Sequence, residues 1–176
     1  MYKGDGWPKD RHGFSDPLSP HEEVIEVANI SDISEIDRIE RDAFNTPWSL
    51  DLLRAAVEND IYEVRVMRNR LQPVTGFYIA HAPEMGTLNL DNFAVDIPHR
   101  GQGRGQRLIW HWIDLARRRR LSTLSLQVNT ANRRAQILYK RYHFKVVKLL
   151  PAYYPNGEDA FQMEVRTSAF FAGNKF

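Results

Sequence analysis

The chain contains no cysteine among its 176 residues. Disulfides, thiolate metal sites and a cysteine nucleophile are therefore excluded, and the composition fits the reducing cytoplasm expected for this protein. Net charge is scarce as well: 24 Lys and Arg against 22 Asp and Glu leave +2, too little to argue for a specific nucleic-acid partner. Apolar runs fall far short of the roughly 20 residues that cross a bilayer, so no membrane association is expected. Residues 1–20 are polar and proline-containing and lack the apolar stretch of a signal peptide. The 6 histidines show no ligand spacing, so no metal site is expected.

What is present is the pattern of one α/β domain, long enough to bury roughly two-thirds of its unfolded surface without staples. Residues 1–20 read as a flexible arm, 21–166 as the domain and 167–176 as a tail. Val24–Ala28 reads as a strand. Asp32 with Glu35 suggests a capping box for a helix carrying Ile33, Ile36, Ile39 and Ala43. Phe44 to Trp48 breaks that helix, and Ser49 caps a second one with Leu52, Leu53, Ala56 and Val57 on its apolar face. Strands are predicted over Ile61–Met67, Val74–His81 and Thr87–Val95, with turns at 69–73 and 82–86. A helix over Gly103–Arg118, a strand over Thr123–Val128 and a helix capped by Asn132 follow, then strands over Phe144–Leu149 and Ala160–Val165. The order predicts a mixed sheet flanked by helices, with no internal repeat.

The chain is organised around one stretch, Asn92-Phe-Ala-Val-Asp-Ile-Pro-His-Arg-Gly-Gln-Gly-Arg-Gly-Gln106. A strand, a turn with glycines at 101, 103 and 105, and a helix form a ready site for an anion, most often phosphate. A Walker loop would need Gly-Lys-Ser/Thr, whereas Gly105 is followed by Gln106-Arg107. A dinucleotide fingerprint needs GxGxxG and an acidic residue about 20 positions on, and neither is present. A tight strand-to-helix turn with no ligand is the plainer alternative.

Arg100-x-x-Gly103-x-Gly105 resembles the pyrophosphate loop of acyl-coenzyme A acyltransferases, and the surrounding chain resembles the GNAT superfamily of acetyl-CoA-dependent N-acetyltransferases. Asn92–Asp96 and Leu124–Val128 look like the family's fourth and fifth strands. Asn132…Leu138-Tyr139 with Tyr142-His-Phe144 is similar to its "N…A..LY…GF" signature. Ala43-Phe44…Pro47-Trp48-Ser49, Ala152-Tyr-Tyr-Pro155 and Glu158-Asp-Ala160…Met163 resemble the bacterial N-terminal acetyltransferases of ribosomal proteins. The likeness spans about residues 24–165 and is densest over 88–163.

The resemblance implies a single domain with a mixed, mostly antiparallel, splayed sheet. It implies acetyl-CoA as co-substrate. Phe93, Ala94 and Val95 would pair with the pantetheine arm, and the amides of Gly101, Gln102, Gly103, Arg104, Gly105 and Gln106 would hold the pyrophosphate, with charge added by Arg100 and Arg104. Asn132 would contact the cofactor, or serve simply as a helix cap. Tyr139 would protonate the leaving thiolate, a phenol near 10 giving a proton to a thiol near 8.5. Trp48, Tyr153 and Tyr154 would wall the acceptor.

The chain departs from the resemblance at Gln127, where the related enzymes carry a glutamate base. Three readings stand. Gln127 orients a relaying water; or Asp91 in the preceding strand takes the proton; or no strong base is needed, because an α-amine near pKa 8 is already about a tenth neutral at pH 7. The favoured acceptor is a protein N-terminal α-amine, as of a ribosomal protein. The rivals are a small amine such as an antibiotic or polyamine, and a CoA-binding module without catalysis. Arg117–Arg120, with Arg133, Arg134, Lys140 and Arg141, reads first as solvated helix ends; the sharper alternatives are attraction to the coenzyme's adenosine phosphate, to ribosomal RNA or to an acidic protein surface.

Overall fold

The computed structural model describes residues 23–69, 73–83 and 86–171. The predicted arm, and parts of the turns expected at 69–73 and 82–86, lie outside the described residues. One sheet of seven strands runs in the order β1-β2-β3-β4-β5-β7-β6. Its strands are β1 (Val24–Val27), β2 (Tyr62–Arg68), β3 (Gly76–His81), β4 (Thr87–Val95), β5 (Thr123–Asn129), β6 (Lys145–Leu150) and β7 (Ala160–Arg166). All neighbours pair antiparallel except β4 and β5. Helices α1 (Ile33–Ala43) and α2 (Leu50–Glu58) precede β2; α3 (Arg104–Arg118) joins β4 to β5, α4 (Arg133–Arg141) joins β5 to β6, and α5 (Ser168–Phe171) follows β7.

Strand alternation sends side chains to two cores, one on each face of the sheet. Val64, Val66, Phe77, Ile79 and Ala94 meet Ile33, Ile36 and Ile39 of α1 and Leu53 and Ala56 of α2. On the other face Tyr78, Leu88, Leu90, Leu124, Leu126 and Met163 pack with Leu108, Ile109, Trp112 and Ile113 of α3 and Tyr139 of α4. The expected C-terminal tail begins with α5, whose Phe170 and Phe171 lean on this second core.

Two local expectations differ in detail. The capping box is formed by Asn29 and Asp32 on a short 3-10 turn, one step earlier than Asp32 and Glu35 suggest. Asp32 makes no cap to α1, because its carboxylate accepts from the Asn29 amide at 2.9 Å and pairs with Arg68 at 2.7 Å. The third strand begins at Gly76 rather than Val74, since Thr75 turns its amide and hydroxyl onto the Met67 carbonyl.

The decisive feature is where the sheet opens. β4 and β5 pair only through Thr87–Leu90 and Thr123–Leu126. At that point the β3–β4 register slips: Ile79 faces Asn92 and Ala80 faces Leu90, which leaves Asp91 as an extra residue in β4. Such a bulge bends its strand and sharpens the twist. β5 meanwhile stays with β7 as far as Asn129 and Ala160. The result is a wedge with the backbone edge of residues 91–95 on one side and residues 127–129 on the other.

Candidate active site

The wedge ends on the glycine turn. Gly101 and Gly103 have φ of +79° and +82°, a region that costs other L-residues strain, and Gly103 is the N-cap of α3. The first intrahelical bond runs from the Arg107 amide to the Gly103 carbonyl at 3.1 Å. The amides of residues 101–106 therefore find no acceptor among the described residues, and they crowd the positive end of a 15-residue helix. Gly105 lies against the β4 side chains: a Cβ there would stand 3.5 Å from the Phe93 ring and 3.8 Å from Val95. The loop thus seats its donors at the mouth of the wedge, as an anion requires.

The two arginines expected to add charge are both engaged within the fold. Arg100 donates its Nε to the Val95 carbonyl at 2.8 Å, and Arg104 pairs with Glu23 at 2.5 Å. Arg107 joins Arg104 on Glu23 at 2.8 Å, and Gln102 donates to the Pro98 carbonyl at 3.3 Å. Asn132 makes the ordinary cap of α4, its Oδ1 accepting from the Ala135 amide at 3.1 Å. The loop is held to α1 by Arg38, which grips both oxygens of Asp96 at 3.0 Å and keeps that carboxyl below its usual range.

Tyr139 projects from α4 toward Phe93, ring centres 6.5 Å apart, and is 6% exposed. Burial raises its phenol well above the ordinary value of 10. The gap to a thiol near 8.5 is therefore wider than the sequence suggests, and full proton transfer costs about 1.4 kcal/mol for each unit of that gap. At neutral pH the hydroxyl is a permanent donor, suited to hydrogen-bonding a developing thiolate.

Asp91, Asn89 and Gln127 lie on the face of the sheet opposite Leu88, Leu90, Leu126 and the α3 core. On this face α1 lies against β3 and β4 and α2 against β2, and of the three residues Asn89 is buried while Asp91 and Gln127 are half-buried. Asp91 is held by the Asn89 amide at 2.7 Å and by His81 Nδ1 at 2.5 Å. Burial pushes its carboxyl up, opposed by those two hydrogen bonds. Gln127 and Asn89 exchange long contacts of 3.4 and 3.5 Å. A polar row, His81–Asp91–Asn89–Gln127, so crosses β3, β4 and β5 at the apex of the wedge.

Tyr153 and Tyr154, in the connection from β6 to β7, pack edge to face at 5.1 Å. Burial raises both phenols, that of Tyr154 to about 12, and the Asp91 carboxylate adds a smaller upward push on Tyr153. Trp48, in the connection from α1 to α2, is half-buried against the core beneath α1 and α2, its amide donating to the Glu40 carboxylate at 2.9 Å. Glu40 is 1% exposed, also accepts from Asn92 at 2.8 Å, and has its carboxyl raised by burial. Sequence reasoning missed His81, Asn89 and Glu40. Pairing across the β3–β4 hairpin places His81 opposite Asn89, but the slip that delivers Asp91 to His81 leaves no mark in composition or periodicity.

Comparison with known proteins agrees with this geometry. The model of the acetyltransferase (GNAT) family matches residues 33–144. A Bacillus subtilis protein named as a candidate ribosomal protein bS18-alanine N-acetyltransferase is 30% identical over 131 residues, 72% of this chain and 84% of that one. The ribosomal protein bS18-alanine N-acetyltransferase of Escherichia coli is 37% identical over 82 residues, 45% of this chain and 55% of its own. The crystal structure of the Escherichia coli ribosomal-protein-S18-alanine N-acetyltransferase aligns with a TM-score of 0.76 at 27% identity, covering 88% of this chain and 100% of that one. The chain belongs to the GNAT acetyltransferase family and is an N-acetyltransferase whose acyl donor is acetyl-CoA.

Proposed function

We propose that this enzyme acetylates the α-amine at the N-terminus of a protein, with ribosomal proteins as the substrate class. The observation that carries the reading is the 30% identity over 131 residues to a protein named for that reaction. The fold alone does not choose an acceptor, since an antibiotic acetyltransferase and a spermidine/spermine acetyltransferase share it at 19% and 16% identity. This reading assigns the enzyme to the cytoplasm; among the described residues no helix is long and apolar enough to cross a membrane.

In this reading the amides of residues 101–106 take the pyrophosphate and the β4 edge at Phe93, Ala94 and Val95, beyond the end of its pairing with β5, takes the pantetheine amides as an added strand would. A β4 backbone amide polarises the thioester carbonyl. Tyr139 hydrogen-bonds the departing sulfur. The amine enters on the face of the sheet that carries Asp91 and Gln127, with Tyr153 and Tyr154 on one side and the α1–α2 connection carrying Trp48 on the other. Asp91 and Gln127 sit where the amine must lose its proton. Ribosomal RNA contact draws no support from Arg117, Arg118 and Arg119, which pair with Asp114 and Glu63 of their own chain.

Thiol release from acetyl-CoA over a panel of peptides with free N-termini, the same peptides with blocked N-termini and internal lysines, and spermidine tests the acceptor class. Turnover confined to free N-termini is expected; turnover confined to spermidine would reject the reading.

A further inference from the structure

We propose that His81 is the base that takes the acceptor's proton, with Asp91 as its positioning residue. The inference rests on the N-acetyltransferase reading of the wedge and holds for any amine acceptor.

The geometry divides the labour between the two side chains. Both oxygens of Asp91 are occupied, Oδ1 by the Asn89 amide and Oδ2 by His81 Nδ1. An ionised carboxylate only accepts, so the proton of this short contact belongs on Nδ1. That fixes the tautomer and leaves Nε2 with a lone pair. Nε2 makes no hydrogen bond among the described residues. The His81 side chain is also the more accessible of the two, 25% exposed against 14% for Asp91. The same logic, a buried carboxylate behind an imidazole, orients histidine bases on unrelated folds.

The surroundings are few. Tyr62 of β2 packs on the imidazole at 5.6 Å between ring centres. Asn89 and Asp91 approach from β4, and Tyr153 of the β6–β7 connection is near enough for the Asp91 charge to raise its phenol. Gln127 closes the row from β5 and carries no charge. A carboxylate at that position would stand beside Asn89 in the row that already holds Asp91, and two like charges in one row oppose each other. The amide at 127 is thus consistent with a row whose one carboxylate serves an imidazole.

The step balances without further reactants. The neutral amine nitrogen attacks the acetyl carbon and the C–N bond forms. The C–S bond breaks with its electron pair on sulfur, held by the Tyr139 hydroxyl. The proton leaving nitrogen passes to Nε2 of His81 and then to water, while sulfur takes one proton from solvent.

The test compares wild type with His81→Ala and Asp91→Asn on whichever acceptor the wild type acetylates fastest. His81→Ala is expected to lose about 100-fold in kcat, to keep its thermal stabilisation by acetyl-CoA, and to recover several-fold when free imidazole is added. Asp91→Asn is expected to lose activity without imidazole rescue, since its own imidazole still fills the space. Unchanged kcat in His81→Ala, or a loss that imidazole does not restore, overturns the proposal. Failure of the acceptor reading shows itself separately, as a wild type that prefers spermidine to peptides. A wild type that turns over no amine at all overturns both.

Discussion

At the residue scale the proposed chemistry rests on one hydroxyl and one imidazole, Tyr139 and His81. Tyr139 is buried, raised in pKa, and within reach of the β4 edge through Phe93. Tyr139→Phe removes the hydroxyl proposed to hold the leaving sulfur and keeps the ring packing. We expect kcat to fall about 100-fold with the acetyl-CoA dissociation constant unchanged, read by steady-state kinetics and calorimetry; equal loss in both would make Tyr139 a binding residue instead. Gly103 is a second sharp case. Its φ of +82° admits glycine, yet an added Cβ would meet no atom within 4 Å. Gly103→Ala should therefore cost about 1–2 kcal/mol through backbone strain alone, visible as a lowered Tm, together with weaker acetyl-CoA binding as the 101–106 amides shift.

The elements tie these residues together, and their ties are testable by pH. Glu40 of α1 accepts from Trp48 in the α1–α2 connection and from Asn92 of β4. One carboxylate thus ties the α1–α2 connection to the strand that opens. Burial raises its pKa above the ordinary 4.5, so the folded state holds the proton more tightly than the unfolded one. Stability from this group is then full below about pH 4.5 and declines as pH rises through the folded value. Asp91 adds a term of the same sign. Urea denaturation followed across pH should show that decline in wild type, and Glu40→Gln should flatten it while keeping both hydrogen bonds. Glu40→Ala leaves the Trp48 and Asn92 donors without their acceptor and should cost about 1–3 kcal/mol. Much at this scale is legible in the sequence. β4 is read to the residue because alternation and the glycine stop coincide, and Ser49 and Asn132 cap as their side-chain chemistry predicts. The shift of the capping box was not legible, because Asp32 is claimed by Arg68 from a strand distant in sequence. Nor was the bulge at Asp91, which exists only in the pairing of two strands.

The whole molecule is a sheet that comes apart at one seam, with a donor-rich helix end at the mouth of the seam and a polar row across its apex. Family membership secures the acetyl donor. Acetyl-CoA should raise the Tm by several degrees, whereas NAD and ATP should leave it unchanged; a shift with either nucleotide would mean the loop reads phosphate generally. The acceptor is the larger question, and it belongs to the wedge as a whole. Its most direct measurement uses one peptide that carries both a free N-terminal alanine and an internal lysine, incubated with acetyl-CoA and mapped by fragmentation mass spectrometry. The account predicts a single acetyl group on the alanine α-amine; an acetyl group on the lysine alone, or an unmodified peptide under conditions where spermidine is acetylated, would contradict it.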